Sequence, residues 1–259
     1  VSGRRASLER VLAAGLAAAC LFPFLYLGLL SVAGAWGFPH LLPETLRTDR
    51  WRSVLGGGGG LLASLGLSLA VAASVGVVST LLGFVTARGV AYHPHRDRLL
   101  LLAYVPYALS PVVSGACLLF VFIKLGLAAS FAGLVLAHTI FAYAFSVVFW
   151  AAFWNREMLA LEELVRTLGG TTADVYRRVF LPLSKGPLAI CFFQAFLISW
   201  FQYGLTILVG AGKFQTLPLR VYAYLGEGNP GFAAAAAVLL VLPPALLLWV
   251  NRRMVFRVV

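Results

Sequence analysis

The sequence predicts an all-α, polytopic membrane protein, a single domain over residues 1–259 with about six transmembrane helices. Three observations predict it. Hydrophobic residues make up 61% of the chain and charged residues only 11%. A soluble domain carries roughly 25% charged residues, so too little polar surface is present to coat a water-exposed globule. Six segments, 11–35, 61–87, 99–123, 131–153, 186–209 and 232–250, are long and apolar enough to cross a hydrocarbon core and contain no Asp, Glu, Lys or Arg. The basic residues lie in short clusters between those segments, as cytoplasmic loops require.

The spans follow in order. Arg4, Arg5 and Arg10 precede the first apolar run, as they would in a secretory signal. The run 11–35 is longer than a signal core, which predicts a retained signal-anchor helix. The loop before the second span holds Pro39, Pro43 and the glycines 56–60, a flexible lead-in. No Gly-Lys-Ser/Thr follows those glycines, so they do not form a phosphate-binding loop. Pro23, Pro106, Pro111, Pro243 and Pro244 each remove a backbone donor from a span. Simple shape adjustment and a bent wall around a translocation path both fit them. Trp36, Trp150, Trp154 and Trp249 fall at span ends, where an indole N–H stays wet at headgroup level; Trp200 falls inside the fifth span.

Orientation follows from charge. With both termini cytoplasmic, one side holds the N-terminus, the 88–98 and 154–185 loops and the C-terminus, and with them 14 of the 20 Lys and Arg residues. The other side holds Arg47, Arg50, Arg52, Lys124, Lys213 and Arg220. The same clustering accounts for the net charge of +11 and argues against nucleic-acid binding. Cys20, Cys117 and Cys191 sit in three different spans without metal-ligand spacing.

The longest hydrophilic stretch, 154–185, predicts two short helices. Leu159, Leu161, Leu164, Val165 and Leu168 recur at helical spacing, Gly169-Gly170 stops the first helix, and Thr171 or Thr172 caps the second. Val175, Tyr176, Val179 and Phe180 mark the second helix's apolar face, and Pro182 is expected to end it. Such a helix–turn–helix at the membrane surface displays apolar side chains that lipid need not cover, as a docking element would. The alternative is an ordinary surface loop.

This stretch resembles the coupling motif of binding-protein-dependent ABC importer permeases, in which Glu-Ala-Ala, three residues and Gly precede a hydrophobic-x-Leu-Pro. Glu163, Gly169, Val179, Leu181 and Pro182 match in type and spacing; Leu164 and Val165 stand where the family has alanines, and Pro187 comes one position late. The six-span layout is similar to the family over nearly the whole chain. The resemblance implies a type I importer permease fold in a bacterial cytoplasmic membrane, with 157–182 as the coupling element and Glu163, Gly169, Gly170, Val179, Leu181 and Pro182 as its residues. Glu163 would anchor the element through a charged hydrogen bond. The implied partners are two ABC ATPase subunits, which would bind the ATP and Mg, a second permease (a heterodimer is favoured), an extracytoplasmic solute-binding protein and lipid. No cofactor is expected in this chain, which has no nucleotide-binding motif of its own.

Polar and aromatic residues within spans are candidates for the solute path, with interhelical packing as the alternative reading of each. Trp200, Gln202, Tyr203 and Thr206 cluster in the fifth span; Tyr104, Tyr107 and Ser110 share a face of the third; His138 is in the fourth. Ser64 and Ser68 look like a packing face. The run from Phe201 through Leu219 and the following Asn229-Pro-Gly-Phe are similar to permeases of the polyamine, thiamine and ferric-iron importers, polyamines being favoured. A proton-coupled transporter would need acidic residues in the membrane, and all nine Asp and Glu lie outside the spans. A membrane scaffold leaves the organised 157–182 element unexplained. An intramembrane protease lacks the expected Gly-x-Ser-Gly or His-Glu-x-x-His context.

Overall fold

A computed structural model describes the backbone of residues 2–34, 36, 40, 42–57 and 60–255 and the side chains of those between 9 and 249. Among them the chain is helical, with one isolated antiparallel bridge, Ala33 to Leu46. Ala35, Pro39 and the middle of the 56–60 glycine run lie outside the described residues, as do the side chains of Arg4 and Arg5. Among the described residues five helices are long and apolar enough to cross a membrane, and a sixth candidate is a pair bent by 94°.

Two compact units make up the chain. The first comprises 1–65 and 217–243. It contains most of α1 (Ser2–Val32), which runs through Pro23, then α2 (Asp49–Leu55), α11 (Leu217–Gly226) and the first part of α12 (Pro230–Val255). Helix α12 continues through Pro243-Pro244. The short helices α2 and α11 interrupt what the sequence reads as loops. Arg50 of α2 explains the first of them. Its guanidinium donates to the carbonyls of Ser31 at 2.7 Å and Ala33 at 3.3 Å while lying 5.6 Å over the Phe232 ring. It thereby satisfies carbonyls that the end of α1 leaves open and places a cation at that helix's negative pole.

The second unit, 66–216 and 244–259, carries the remaining helices. Helix α3 (Leu61–Ala91), most of which belongs here, extends the predicted second span by a turn. The third predicted span, 99–123, is not continuous. It is α4 (Arg96–Ala108) and α5 (Pro111–Lys124), set at 94°. Ser110 accepts from the Val113 backbone N–H and caps α5, and Pro111 takes the first helical position, where a missing N–H costs nothing. Ser110 therefore belongs to the break, and the face expected for Tyr104, Tyr107 and Ser110 does not exist. Helix α6 (Phe131–Phe153) has the bounds that the sequence predicts and is capped by Ser130.

After α6 come α7 (Arg156–Thr167), α8 (Thr172–Val175) and a π-helical turn, Tyr176–Phe180, that runs directly into α9 (Leu181–Trp200). Pro182 does not end a helix. The Leu181 N–H reaches back five residues to the Tyr176 carbonyl, and this wide turn lets helix continue where the proline ring would crowd a normal one. The predicted fifth span also breaks, after Trp200; the chain resumes as α10 (Gly204–Val209). An aromatic cluster of Phe84, Trp150, Trp154 and Phe180, with Ala87, Val175 and Cys191, packs α3, α6, α8 and α9 together. Trp150 and Trp154 are thus buried in protein, 0% and 2% exposed, and not at a wet boundary. The Trp154 indole donates to the Phe84 carbonyl at 2.9 Å.

Candidate functional site

Two places in the second unit carry organised polar chemistry. The first is the α7–α8 element. Asn155 caps α7 by accepting from the Met158 N–H, and Thr171 with Asp174 forms a capping box on α8. Gly169 between them has φ +81°, a conformation that other residues adopt at a cost of about 1–2 kcal/mol. Gly170 is crowded for another reason: a Cβ there would come 2.5 Å from Val165 Cγ1 and 2.9 Å from the Val165 carbonyl oxygen. Substituting Gly169 by Asp is expected to strain this turn by about 1–2 kcal/mol, read as a lower thermal midpoint in detergent.

The face of α7 differs from the expected one. Met158, Glu162 and Val165, four and three residues apart, point inward; Leu164 and Leu168 are 55% and 79% exposed. Glu162 is 4% exposed. One terminal nitrogen of Arg88, in the last turn of α3, reaches both of its oxygens at 2.7 and 2.6 Å, and Arg166 adds a third bond at 2.9 Å. Arg88 also donates to the Tyr176 hydroxyl at 3.2 Å and lies 5.9 Å over the Trp154 ring. The anchoring carboxylate is therefore Glu162, one residue before Glu163. Glu163 is exposed and enters no ion pair among the described residues. Helix periodicity explains the difference, because Glu162 shares the inward stripe and Glu163 is turned about 100° away. Val179 packs half-buried against the aromatic cluster, whereas Leu181 and Pro182 are exposed. Sequence reasoning missed Glu162 and Arg88; the spacing from Met158 to Val165 was the available signal for the first.

The second place is where two broken spans meet. Gly204, at the start of α10, lies against the start of α5: a Cβ on it would come 2.8 Å from Val112 Cγ2 and 3.1 Å from the Val112 nitrogen. Gly115 of α5 is in turn covered by Leu205 and Leu208. Beside this contact His138 of α6, 2% exposed, bonds Ser199 Oγ at 2.8 Å through Nδ1 and Thr206 Oγ1 at 3.0 Å through Nε2. Ser68, His138, Ser199, Trp200, Gln202 and Thr216 line a cavity of about 10 Å³ beside the break, the room that one water needs. His138, Trp200, Gln202 and Thr206 therefore do come together. Tyr203 lies in the same break, residues 201–203. Tyr107 is on α4 and donates to the Phe141 carbonyl at 2.8 Å, and Tyr104 is half exposed, so neither takes part in the His138 group. Non-helical backbone of this kind is tolerated at membrane depth where protein buries it or it lines a cavity.

No family model matches the chain. It is 26% identical over 198 residues to the spermidine/putrescine transport system permease protein PotC of Escherichia coli, covering 75% of each chain. It is 32% identical over 199 residues to the molybdenum transport system permease protein ModB of Mycobacterium bovis, covering 70% of this chain and 74% of that one. The chain belongs to the ABC transporter permeases. A crystal structure of a bacterial ABC transporter involved in the import of the acidic polysaccharide alginate shares the permease's fold, with TM-score 0.73, 97% of both chains covered and 16% identity. The permease is accordingly a multi-pass membrane transport subunit, in the family that the stretch with Glu163, Gly169, Val179, Leu181 and Pro182 resembles.

Proposed function

We propose that this permease forms one half of the alternating-access path of an ATP-driven importer in a bacterial cytoplasmic membrane, with both termini in the cytoplasm. The single observation that carries the coupling role is the α7–α8 element. It is tied to the bundle by a buried ion pair and presents Leu164 and Leu168 outward at a tight glycine turn. An apolar protrusion locked in place at the end of a bundle suits a cleft on a cytoplasmic ATPase subunit, where closure of two such subunits would drive the elements together. Glu162, Gly169, Gly170, Leu164 and Leu168 would hold and make that contact, with Val179, Leu181 and Pro182 shaping the root of α9.

A second permease chain is supported by surfaces that this chain leaves bare. The most apolar stretch of α1 buries no residue, and neither does α4. Because several importers of the resembled groups pair two different permease chains, a heterodimer is the favoured pairing. The solute would be small and hydrophilic, delivered by an extracytoplasmic binding protein, and would pass the paired helix breaks at Gln202 and Tyr203, beside Thr206. A cavity of about 10 Å³ holds no such solute, so passage needs the breaks to move. Polyamines are the favoured class, supported by the likeness of residues 201–219 to polyamine permeases and by the PotC match.

Co-expression with adjacent reading frames tests this. The permease should co-purify with a nucleotide-binding subunit, and vesicles containing the complex should take up labelled putrescine or spermidine when ATP and the binding protein are present. A complex that assembles but imports only molybdate or sugar overturns the polyamine assignment; failure to retain any ATPase overturns the coupling role.

A further inference from the structure

Resting on that reading of the path, we propose that His138 does not contact the solute but staples the two halves of the broken fifth span, setting where Gln202 and Tyr203 stand. The argument is geometric. Helix α9 ends at Trp200 and α10 begins at Gly204. Ser199 is in the last turn before the gap and Thr206 in the first turn after it. One imidazole from α6 reaches both hydroxyls, at 2.8 and 3.0 Å.

The direction of each bond can be assigned. Thr206 Oγ1 donates its one proton to the Gln202 carbonyl at 3.0 Å. It must therefore accept from His138, which puts the imidazole proton on Nε2. Nδ1 is then an acceptor, and Ser199 donates to it. The result is a one-way chain, Ser199 hydroxyl to His138 to Thr206 to the Gln202 carbonyl, each step consistent with a neutral ring. The chain closes on a carbonyl that the break itself frees. Both ring nitrogens are used, so His138 retains no hydrogen-bonding group for a solute in this arrangement. Ser199 and His138 both line the cavity wall, with their polar atoms bonded to one another.

The glycine contact gives the staple its consequence. Because Gly204 is pressed on Val112, α10 is held to α5, while α9 belongs to the helix that continues from the π turn. His138 spans the two. When the staple is released, Phe201, Gln202 and Tyr203 can swing relative to α10.

The test uses the whole transporter with Cys20, Cys117 and Cys191 replaced by alanine or serine and Phe201→Cys as a reporter of the break, Phe201 being half exposed. Alkylation of the introduced thiol by a water-soluble maleimide is followed with and without ATP, alongside import. In His138→Leu the labelling rate is expected to rise about tenfold and to lose its dependence on nucleotide, two hydrogen bonds having gone. His138→Gln, which keeps a donor for Thr206, should recover part of the nucleotide dependence. Thr206→Val should add little to His138→Leu, since both remove the same strap. Unchanged labelling in an assembled His138→Leu transporter overturns the staple. So does altered solute preference with normal labelling, which would place the ring on the path itself. Loss of ATPase co-purification in the parent protein would instead overturn the proposed function and is scored separately.

Discussion

Glu162→Ala is expected to destabilise the permease and uncouple it together. The carboxylate is 5% exposed and bonded by two arginines, so its loss strands a guanidinium among Trp154, Tyr176 and Phe180. Removing one partner of a fully buried pair costs roughly 3–5 kcal/mol. Arg88 keeps 27% of its side-chain surface, so water recovers part of that, leaving about 2 kcal/mol. Thermal unfolding in detergent should show it as a lower midpoint, and import in vesicles should fall at least tenfold. Glu163→Ala is the control. An exposed residue away from any network shifts stability by about 0.5 kcal/mol or less, so an unaltered midpoint there, with a lowered one at Glu162, separates the two neighbours. Equal effects at both positions would refute the assignment of the anchor to Glu162.

Leu164→Asp with Leu168→Asp should do the reverse: leave the subunit intact and abolish its grip on the motor. Both side chains are exposed in the isolated chain, so the fold does not depend on them. At an interface, however, apolar anchors lost from the centre cost about 2 kcal/mol each, and two of them weaken binding by roughly a hundredfold or more. Co-purification of the ATPase subunit should disappear while the melting midpoint of the permease holds. Retained ATPase with normal stimulation would mean that another surface does the docking.

What could be read from the sequence divides along physical lines. Phe131–Phe153 is found where it was expected because both its ends are written locally, in the Ser130 cap and in the polar Asn155 that opens the next helix. The helix–glycine–helix shape was legible for the same reason: Thr171, Asp174 and Gly169 act on their own neighbours. The breaks were not. Pro111 announced a disturbance in the third span, but a proline can bend a helix or begin one, and only the Ser110 cap selects the second. The gap at 201–203 has no proline, and its stabilising partner, His138, is more than sixty residues away. The same holds for Glu162, whose importance lies in Arg88, 74 residues earlier. A sequence read for apolar runs counts Trp150 and Trp154 as boundary markers, whereas tertiary packing turns them into core.

The unbroken run of helix from Thr172 to Trp200, 29 residues, makes a rod of about 40 Å. Its near end adjoins the turn that a motor would grasp, and its far end abuts the joint that His138 bridges. Pressure on α8 would therefore not dissipate in a loop but would arrive as tilt at Phe201.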